Sequence, residues 1–325
     1  MVGLSLLAVL AGFARRTGGA DRFVMGAAAT ARNLGVSPLI IGLTVVGLGT
    51  SAPEILVSVV AAWQGASELA VGNAIGSNIT NVGLVLGATA LITPLTVHSE
   101  TLRREFPILF AIMLVALALL LDNYLGRLDG LILLGGLVLM FYWMVSLGLR
   151  ERADPLGREY EDELPRPMSM GQGLAWLVLG LAVLLISSRM LVWGAVNIAH
   201  WLGVSDLVIG LTVVALGTSL PELAASVMSA LKNEHDIAIG NVLGSNMFNL
   251  LAVLGLPGLI GPHRTSPEVL SRDFPVMIGL SIALFAMAYG FRQPGRITRP
   301  EGGFLLACYA GYIGLVYIHM NGQVA

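Results

Sequence analysis

Glu54 and Glu222 each close the run Gly-Thr-Ser-x-Pro-Glu, inside long apolar stretches of a 325-residue chain. An ionised carboxylate in the middle of a membrane span costs at least about 2.5–3.5 kcal/mol, and such residues mark ion pathways. Neither glutamate has an Arg or Lys within its own stretch, so a bound cation is the natural partner. Pro53 and Pro221 immediately precede them. Proline removes a backbone donor and crowds the carbonyl four residues earlier, which frees backbone near Gly49 and Gly217. Non-helical backbone at membrane depth is tolerated where it lines a cavity. Those carbonyls, the hydroxyls of Thr50, Ser51, Thr218 and Ser219, and the two carboxylates form an all-oxygen donor set. Hard cations such as calcium take oxygen ligands, and sodium suits the carbonyls of broken helices.

A second polar segment, GNxxGSNxxN, follows each glutamate at 72–81 and 240–249. Ser77 and Asn81 lie four apart, hence on one helix face, as do Ser245 and Asn249. These four are the further candidate ligands. Asn78 and Asn246 suit hydrogen bonding between helices, and Gly72, Gly76, Gly240 and Gly244 suit close helix packing. Glu68 and Asp236 sit at junctions between loop and span and read as solvated helix starts. The five histidines fall near span ends without metal-ligand spacing. The single cysteine, Cys308, excludes an intramolecular disulfide and a multi-cysteine metal site. No cofactor is implied, and the lack of a nucleophile–base constellation speaks against an enzyme.

The two stretches are copies. An offset of 168 residues aligns GLTVVGLGTSAPEILVS (42–58) with GLTVVALGTSLPELAAS (210–226) at 12 of 17 positions. The same offset aligns GNAIGSNITN with GNVLGSNMFN at 6 of 10 positions, without a gap. The match trails on to Arg104-Glu105-Phe106-Pro107 against Arg272-Asp273-Phe274-Pro275. Identity this dense exceeds what shared apolar composition gives, and a duplication explains it.

The elements that must position these groups are membrane helices. The chain is 56% hydrophobic and 12% charged, with a mean hydropathy of +0.82. A soluble domain carries about 25% charged residues. This composition cannot cover a soluble surface, which sets aside a cytosolic enzyme, a nucleic-acid binder and a disordered scaffold. Apolar runs fall at 2–33, 38–62, 68–94, 105–121, 127–148, 173–200, 206–231, 237–261, 274–291 and 302–319. The first is interrupted by Arg15, Arg16, Asp21 and Arg22 and weakened by Gly18-Gly19, and it reads as a short, tilted or poorly inserted peripheral helix. Between the fifth and sixth runs, the stretch 149–172 holds three prolines, four arginines and six acids, and it reads as a solvated linker.

The expected fold is therefore an all-α polytopic membrane protein of about ten transmembrane helices in two five-helix repeats, 1–148 and 173–325, with motifs at 42–81 and 210–249. An odd number of spans per repeat inverts the second copy, which places a substrate site near the midplane between the repeats. Loop Arg and Lys residues number eleven on the side of the linker and three on the other, leaving out Arg15, Arg16, Arg22 and Arg189 within spans. That asymmetry puts the linker in the cytoplasm and both termini outside. No signal peptide with a small-residue cleavage site stands out. The net charge of -2 implies no polyanionic partner such as nucleic acid. The expected partners are membrane lipid and inorganic cations, and the chain is expected to be a monomer.

At GTSAPE and GTSLPE, each followed by GNxxGSN, the sequence resembles the calcium/cation antiporter superfamily. The motifs look like the two alpha-repeats of sodium/calcium exchangers, and the chain as a whole resembles the bacterial inner-membrane members with a short central linker. The resemblance implies a core of spans 2, 3, 7 and 8 around the ions, with long spans 1 and 6 sliding against it. It implies the ligands Thr50, Ser51, Glu54, Ser77 and Asn81 with the carbonyl of Gly47. From the second copy it implies Thr218, Ser219, Glu222, Ser245 and Asn249 with the carbonyl of Ala215. Calcium would be held by both glutamates and the Thr50 and Thr218 carbonyls, and sodium would share these atoms and the serines. Potassium-dependent relatives carry Asp where this chain has Asn249, and proton-coupled ones carry Glu at the positions of Gly76 and Gly244. Sodium-for-calcium exchange is thus the leading expectation, with proton/calcium exchange and a cation channel as alternatives.

Overall fold

The computed structural model describes residues 2–34, 47–97, 100–150, 168–289 and 295–322, and it is mostly helical. In chain order the helices are α1 (Val2–Asn33), α2 (Gly47–Trp63), α3 (Ser67–Ile92), α4 (Glu100–Leu120) and α5 (Arg127–Arg150). They continue as α6 (Met170–Leu202), α7 (Asp206–Leu231), α8 (His235–Ile260), α9 (Val269–Ala288) and α10 (Arg299–Gly322). Among the described residues, seven of these (α3 and α5 to α10) contain a stretch long and apolar enough to cross a membrane. Shorter apolar stretches, Ser51–Trp63 and Glu105–Leu120, lie in α2 and α4. The chain is an integral membrane protein in build. The linker residues 151–167 and the first part of the second apolar run, 38–46, lie outside the described residues.

Helices α3 and α8 are innermost, with 78% and 89% of their apolar windows buried, against 22% for α5 and 17% for α10. A large apolar cluster built on Ile75, Ile79, Val242, Met247 and Phe248 fills the space around them. Gly72 and Gly76 let α3 meet α7 backbone to backbone. A Cβ at Gly76 would stand 2.7 Å from Leu211 Cα and 2.8 Å from Ala215 Cβ. The packing role expected of these two glycines is met. At Gly244 the expectation is corrected, because among the described residues no neighbouring helix comes within 4 Å of where its Cβ would stand.

Two short antiparallel ribbons tie the halves together. Strand β1 (Leu95–Val97) pairs with β4 (Gly295–Ile297), and β2 (Tyr124–Leu125) pairs with β3 (His263–Arg264). The 168-residue offset carries the start of β1 onto β3 and the start of β2 to just before β4. Each ribbon therefore joins non-equivalent strands of the two copies, and the two ribbons are each other's counterpart. The same reciprocity holds for glycine contacts. On α3, Gly87 meets Gly302 of α10, and its repeat mate Gly255 on α8 meets Gly130 of α5.

The first apolar run corrects the sequence expectation. It is one unbroken 32-residue helix rather than a short one, and it lies antiparallel along the 33-residue α6. Small residues spaced by seven explain the fit: Ser5, Gly12, Gly19 and Gly26 on α1, and Gly173, Gly180, Ser187 and Gly194 on α6. A Cβ at Gly194 would stand 2.7 Å from the Ser5 carbonyl oxygen, and one at Gly12 3.1 Å from that of Ser187. Such close approach gains dispersion contacts along the whole seam, which is how membrane helices associate without a hydrophobic driving force. It also gives Arg22 a partner. The guanidinium of Arg22 lies 4.3 Å from the ring centroid of Trp176, a cation–π contact on the outer face of the pair.

This seam makes a testable demand. A Cβ at Gly26 would lie 2.6 Å from the Gly173 carbonyl oxygen, and backbone cannot yield as a side chain can. Gly26→Val should destabilise the protein by about 3 kcal/mol, the upper end for overpacking. Gly135→Ala, at a position with nothing within 4 Å, should be neutral. Thermal unfolding of the two purified variants in detergent reads the difference, and equal melting would refute a tight α1–α6 seam.

Candidate ion-binding site

The residues singled out by the repeat converge on α2, α3, α7 and α8. Ser51, Glu54, Ser77, Asn81, Thr218, Ser219, Glu222, Ser245 and Asn249 are all buried, none more than 2% exposed. Contacts between the two copies knit them together. Ser51 Oγ lies 2.9 Å from Ser245 Oγ, and Ser77 Oγ lies 3.3 Å from Thr218 Oγ1. Asn81 donates to Asn246 Oδ1 at 3.1 Å and reaches Ser245 Oγ at 3.4 Å. Ser245 in turn donates to Glu222 Oε1 at 3.4 Å. Hydroxyl and amide groups from both copies, with the carboxylate of Glu222, thus meet in the buried interior.

Backbone irregularity sits at the same places. In α7 the helix stops at Thr218, passes through Ser219 with φ -85° and ψ 3°, and resumes with Pro221 in its first turn. The break expected at the second Gly-Thr-Ser-x-Pro-Glu is present. In α2 the expectation is corrected, because Pro53 lies inside a continuous helix from Gly47 to Trp63. The proline needs only its own missing donor accommodated, and the helix holds through it. Turns of π-helix begin at Asn81 (Asn81–Leu86) and at its repeat mate Asn249 (Asn249–Val253). A third, Gly210–Val214, precedes the break in α7. Each π-turn widens the ring of backbone bonds and re-aims the side chains around it, a feature frequent at functional sites.

Some candidates carry extra detail. The Ala215 carbonyl already accepts the Thr218 hydroxyl at 3.1 Å and the Ser219 N–H at 3.0 Å. An ion there would share it with those donors or displace one. Gly47 is the first residue of α2, and residues 35–46 before it lie outside the described residues, as does the side chain of Thr50. The buried atoms Asn81 Oδ1, Ser219 Oγ and both amide atoms of Asn249 have no hydrogen-bond partner among the described residues. Buried polar atoms are almost always satisfied, and an ion is one group that explains such exceptions. The donor set of carboxylate, hydroxyl, amide and carbonyl oxygens fits hard cations.

Sequence reasoning undervalued Asn73. Its amide donates to the Glu54 carbonyl at 3.2 Å and to Ser58 Oγ at 3.1 Å, while its Oδ1 accepts the Thr218 hydroxyl at 3.2 Å. One side chain thus clamps α2 and α7 together beside the glutamate. The signal was available, since Asn73 and Ser58 recur at the repeat offset as Asn241 and Ser226. Asn246 takes the interhelical bond expected of it, whereas Asn78 bonds back to the Ala74 carbonyl of its own helix at 2.8 Å. Glu68 accepts from Ser266 Oγ at 2.7 Å. Asp236 is only 1% exposed rather than solvated. Its place in the first turn of α8 gives its carboxylate the helix N-terminus to face.

Comparison with known proteins follows from this geometry. The chain matches the family described as sodium/calcium exchanger protein over residues 4–148 and 172–318. It is 51% identical over 310 residues to a putative antiporter, CaxA, of Alkalimonas amylolytica, covering 95% of this chain and 97% of that protein. It is 44% identical to the inner membrane protein YrbG of Escherichia coli, covering 88% and 90%. Its fold is similar to a solved structure of the sodium-calcium exchanger NCX_Mj soaked with sodium and without calcium. That likeness has a TM-score of 0.67 at 34% identity and covers 97% of this chain and 99% of the other.

Proposed function

The chain belongs to the sodium/calcium exchanger protein family, and from that premise we propose that it is a secondary antiporter exchanging sodium for calcium. The observation that carries the reading is the set of buried contacts in which Ser51, Ser77 and Asn81 of one copy touch Ser245, Thr218 and Asn246 of the other. A divalent ion needs both glutamates, and these contacts join polar side chains of the two repeats beside the motifs that carry them. Calcium would use Glu54, Glu222 and the Thr50 and Thr218 carbonyls. Sodium would use the same carboxylates with Ser51, Ser77, Ser219, Ser245 and the carbonyls of Gly47 and Ala215, with Asn81 and Asn249 completing the shell.

The proposed architecture is ten spans in two inverted repeats, 1–148 and 173–325, joined by a cytoplasmic linker at 149–172. The reciprocal ribbons and reciprocal glycine contacts support it, because a twofold relation between the copies exchanges each with its counterpart. The excess of basic residues on the linker side supports an orientation in a bacterial inner membrane with both termini outside. The α1–α6 pair would move as one body against α2, α3, α7 and α8, exposing the cluster to each side in turn. Each chain supplies ligands from both repeats, so a monomer suffices.

Sodium is favoured over protons as the coupling ion by Gly76, where packing against Leu211 and Ala215 leaves no room for a glutamate side chain. Radiocalcium uptake into proteoliposomes tests the reading. Uptake should follow an outward sodium gradient and ignore an imposed proton gradient. The reverse dependence would replace sodium by protons, and calcium flux without any counter-ion would replace exchange by a channel.

A further inference from the structure

Arg189 interrupts the apolar run LLISSRMLVWG of α6, and the exchange cycle has no use for it. A charge within a membrane span calls for a partner. Arg189 makes no hydrogen bond or ion pair among the described residues and lies exposed on the outer face of its helix. It is one wall of a groove of about 580 Å³ that is otherwise apolar, shaped by Leu7 and Ala11 of α1 and by Met190 and Trp193 of α6. The remaining polar group in the groove is Gln64, directly after the end of α2.

The depth of the groove follows from its neighbours. Gln64 leads into the α2–α3 turn at Gly65, and Trp63 beside it, the last residue of α2, is 69% exposed. Exposed tryptophans at a helix end mark the level where hydrocarbon meets headgroups. Arg189 therefore has its apolar stem in the acyl region and can bring its guanidinium to the headgroup layer. In a bilayer, an apolar groove open to the side is filled by a lipid chain. The cation at its rim selects which lipid.

We propose that this groove is a binding site for one anionic phospholipid of the leaflet on the side of the α2–α3 turn. Its phosphate rests on Arg189, with the Gln64 amide as a second donor. One acyl chain lies between α1 and α6 along Leu7, Ala11 and Met190. Charge complementarity commits the occupant. A zwitterionic lipid carries its own ammonium, whereas a phosphatidylglycerol leaves its phosphate charge to the guanidinium. Basic pockets between membrane helices recognise anionic headgroups in this way.

The full chain, purified in detergent and mixed with phosphatidylglycerol and phosphatidylcholine of identical chains, supplies the test by native mass spectrometry. The wild type should retain one phosphatidylglycerol in preference to phosphatidylcholine by roughly fivefold, the value of one basic residue at a membrane surface. Arg189→Gln, at an exposed position, should lose the preference, and Arg189→Lys should keep it. Ala11→Phe fills the groove and should remove the lipid while leaving the charge in place. Equal retention of the two lipids by the wild type, or an unchanged preference in Arg189→Gln, overturns the site. Retention that survives Ala11→Phe overturns the groove as its seat.

Discussion

Glu222→Gln is expected to abolish calcium exchange while the protein still inserts and folds, and Glu54→Gln is expected to do the same. Both side chains are buried, at 0% and 1% exposure, so their charge is spent on what lies inside the cluster. Glutamine keeps the shape. At position 222 it also keeps the acceptor that Ser245 bonds to, so the contact at 3.4 Å need not be lost. What disappears is one of the two charges that balance a divalent ion. Breaking a buried charge pair by removing one partner costs about 3–5 kcal/mol, which lowers calcium affinity by roughly two to four orders of magnitude. Radiocalcium uptake and calcium calorimetry on each purified variant measure this. Exchange at the wild-type rate in either variant would remove the carboxylates from the site. The comparison with Asn73→Ala is informative, since that change cuts the clamp from α3 to the Glu54 carbonyl and to Thr218 but leaves both charges. It should weaken transport less than either glutamate variant.

Much of this site was legible because the gene copied it. Duplication places Ser51, Glu54, Ser77 and Asn81 in register with Ser219, Glu222, Ser245 and Asn249, and the contacts between the copies link these same residue types. Periodicity placed the serines and asparagines on one face of α3 and α8 and marked Gly72 and Gly76 for packing, whereas the same expectation for Gly244 is not met. Hydrogen-bond direction was not legible. Asn73 and Asn78 share a residue type and one segment, yet one bridges two helices and the other caps its own turn. The difference depends on how far α2 and α7 stand from α3, and that is a property of packing. The π-turns at Asn81 and Asn249 were also invisible, since a widened turn leaves no composition signal.

The first helix shows the opposite failure. Its charges and its Gly18-Gly19 pair suggested a short helix, because helix propensity is summed over the chain's own residues. The partner decides instead. With α6 alongside, glycine at a seven-residue spacing is the residue that permits contact, and Arg22 finds the face of Trp176. A search for small residues at matched spacing in two long spans would have found the pair.

Exchange is expected to move one net charge per cycle. Glu54 and Glu222 contribute a formal charge of -2 to the cluster, and calcium neutralises it fully. The duplicated hydroxyls, carbonyls and amides offer more oxygen positions than one calcium uses, and the resemblance to sodium/calcium exchangers implies that they serve three sodium ions. Three sodium ions against -2 leave +1 in the loaded core, and calcium leaves zero. The two half-cycles then differ by one charge carried across the field. One elementary charge moved through about 100 mV is worth about 2.3 kcal/mol, which changes the calcium ratio at equilibrium by roughly fiftyfold. In proteoliposomes with a fixed sodium gradient, a potassium–valinomycin potential should therefore raise or lower calcium accumulation according to its sign. The expected sense is set by the sodium limb. Calcium uptake in exchange for outgoing sodium carries net positive charge outward, so an inside-positive potential should increase it. Accumulation indifferent to the potential would mean two monovalent ions per calcium, and the carboxylate pair would then be neutral in both loaded states.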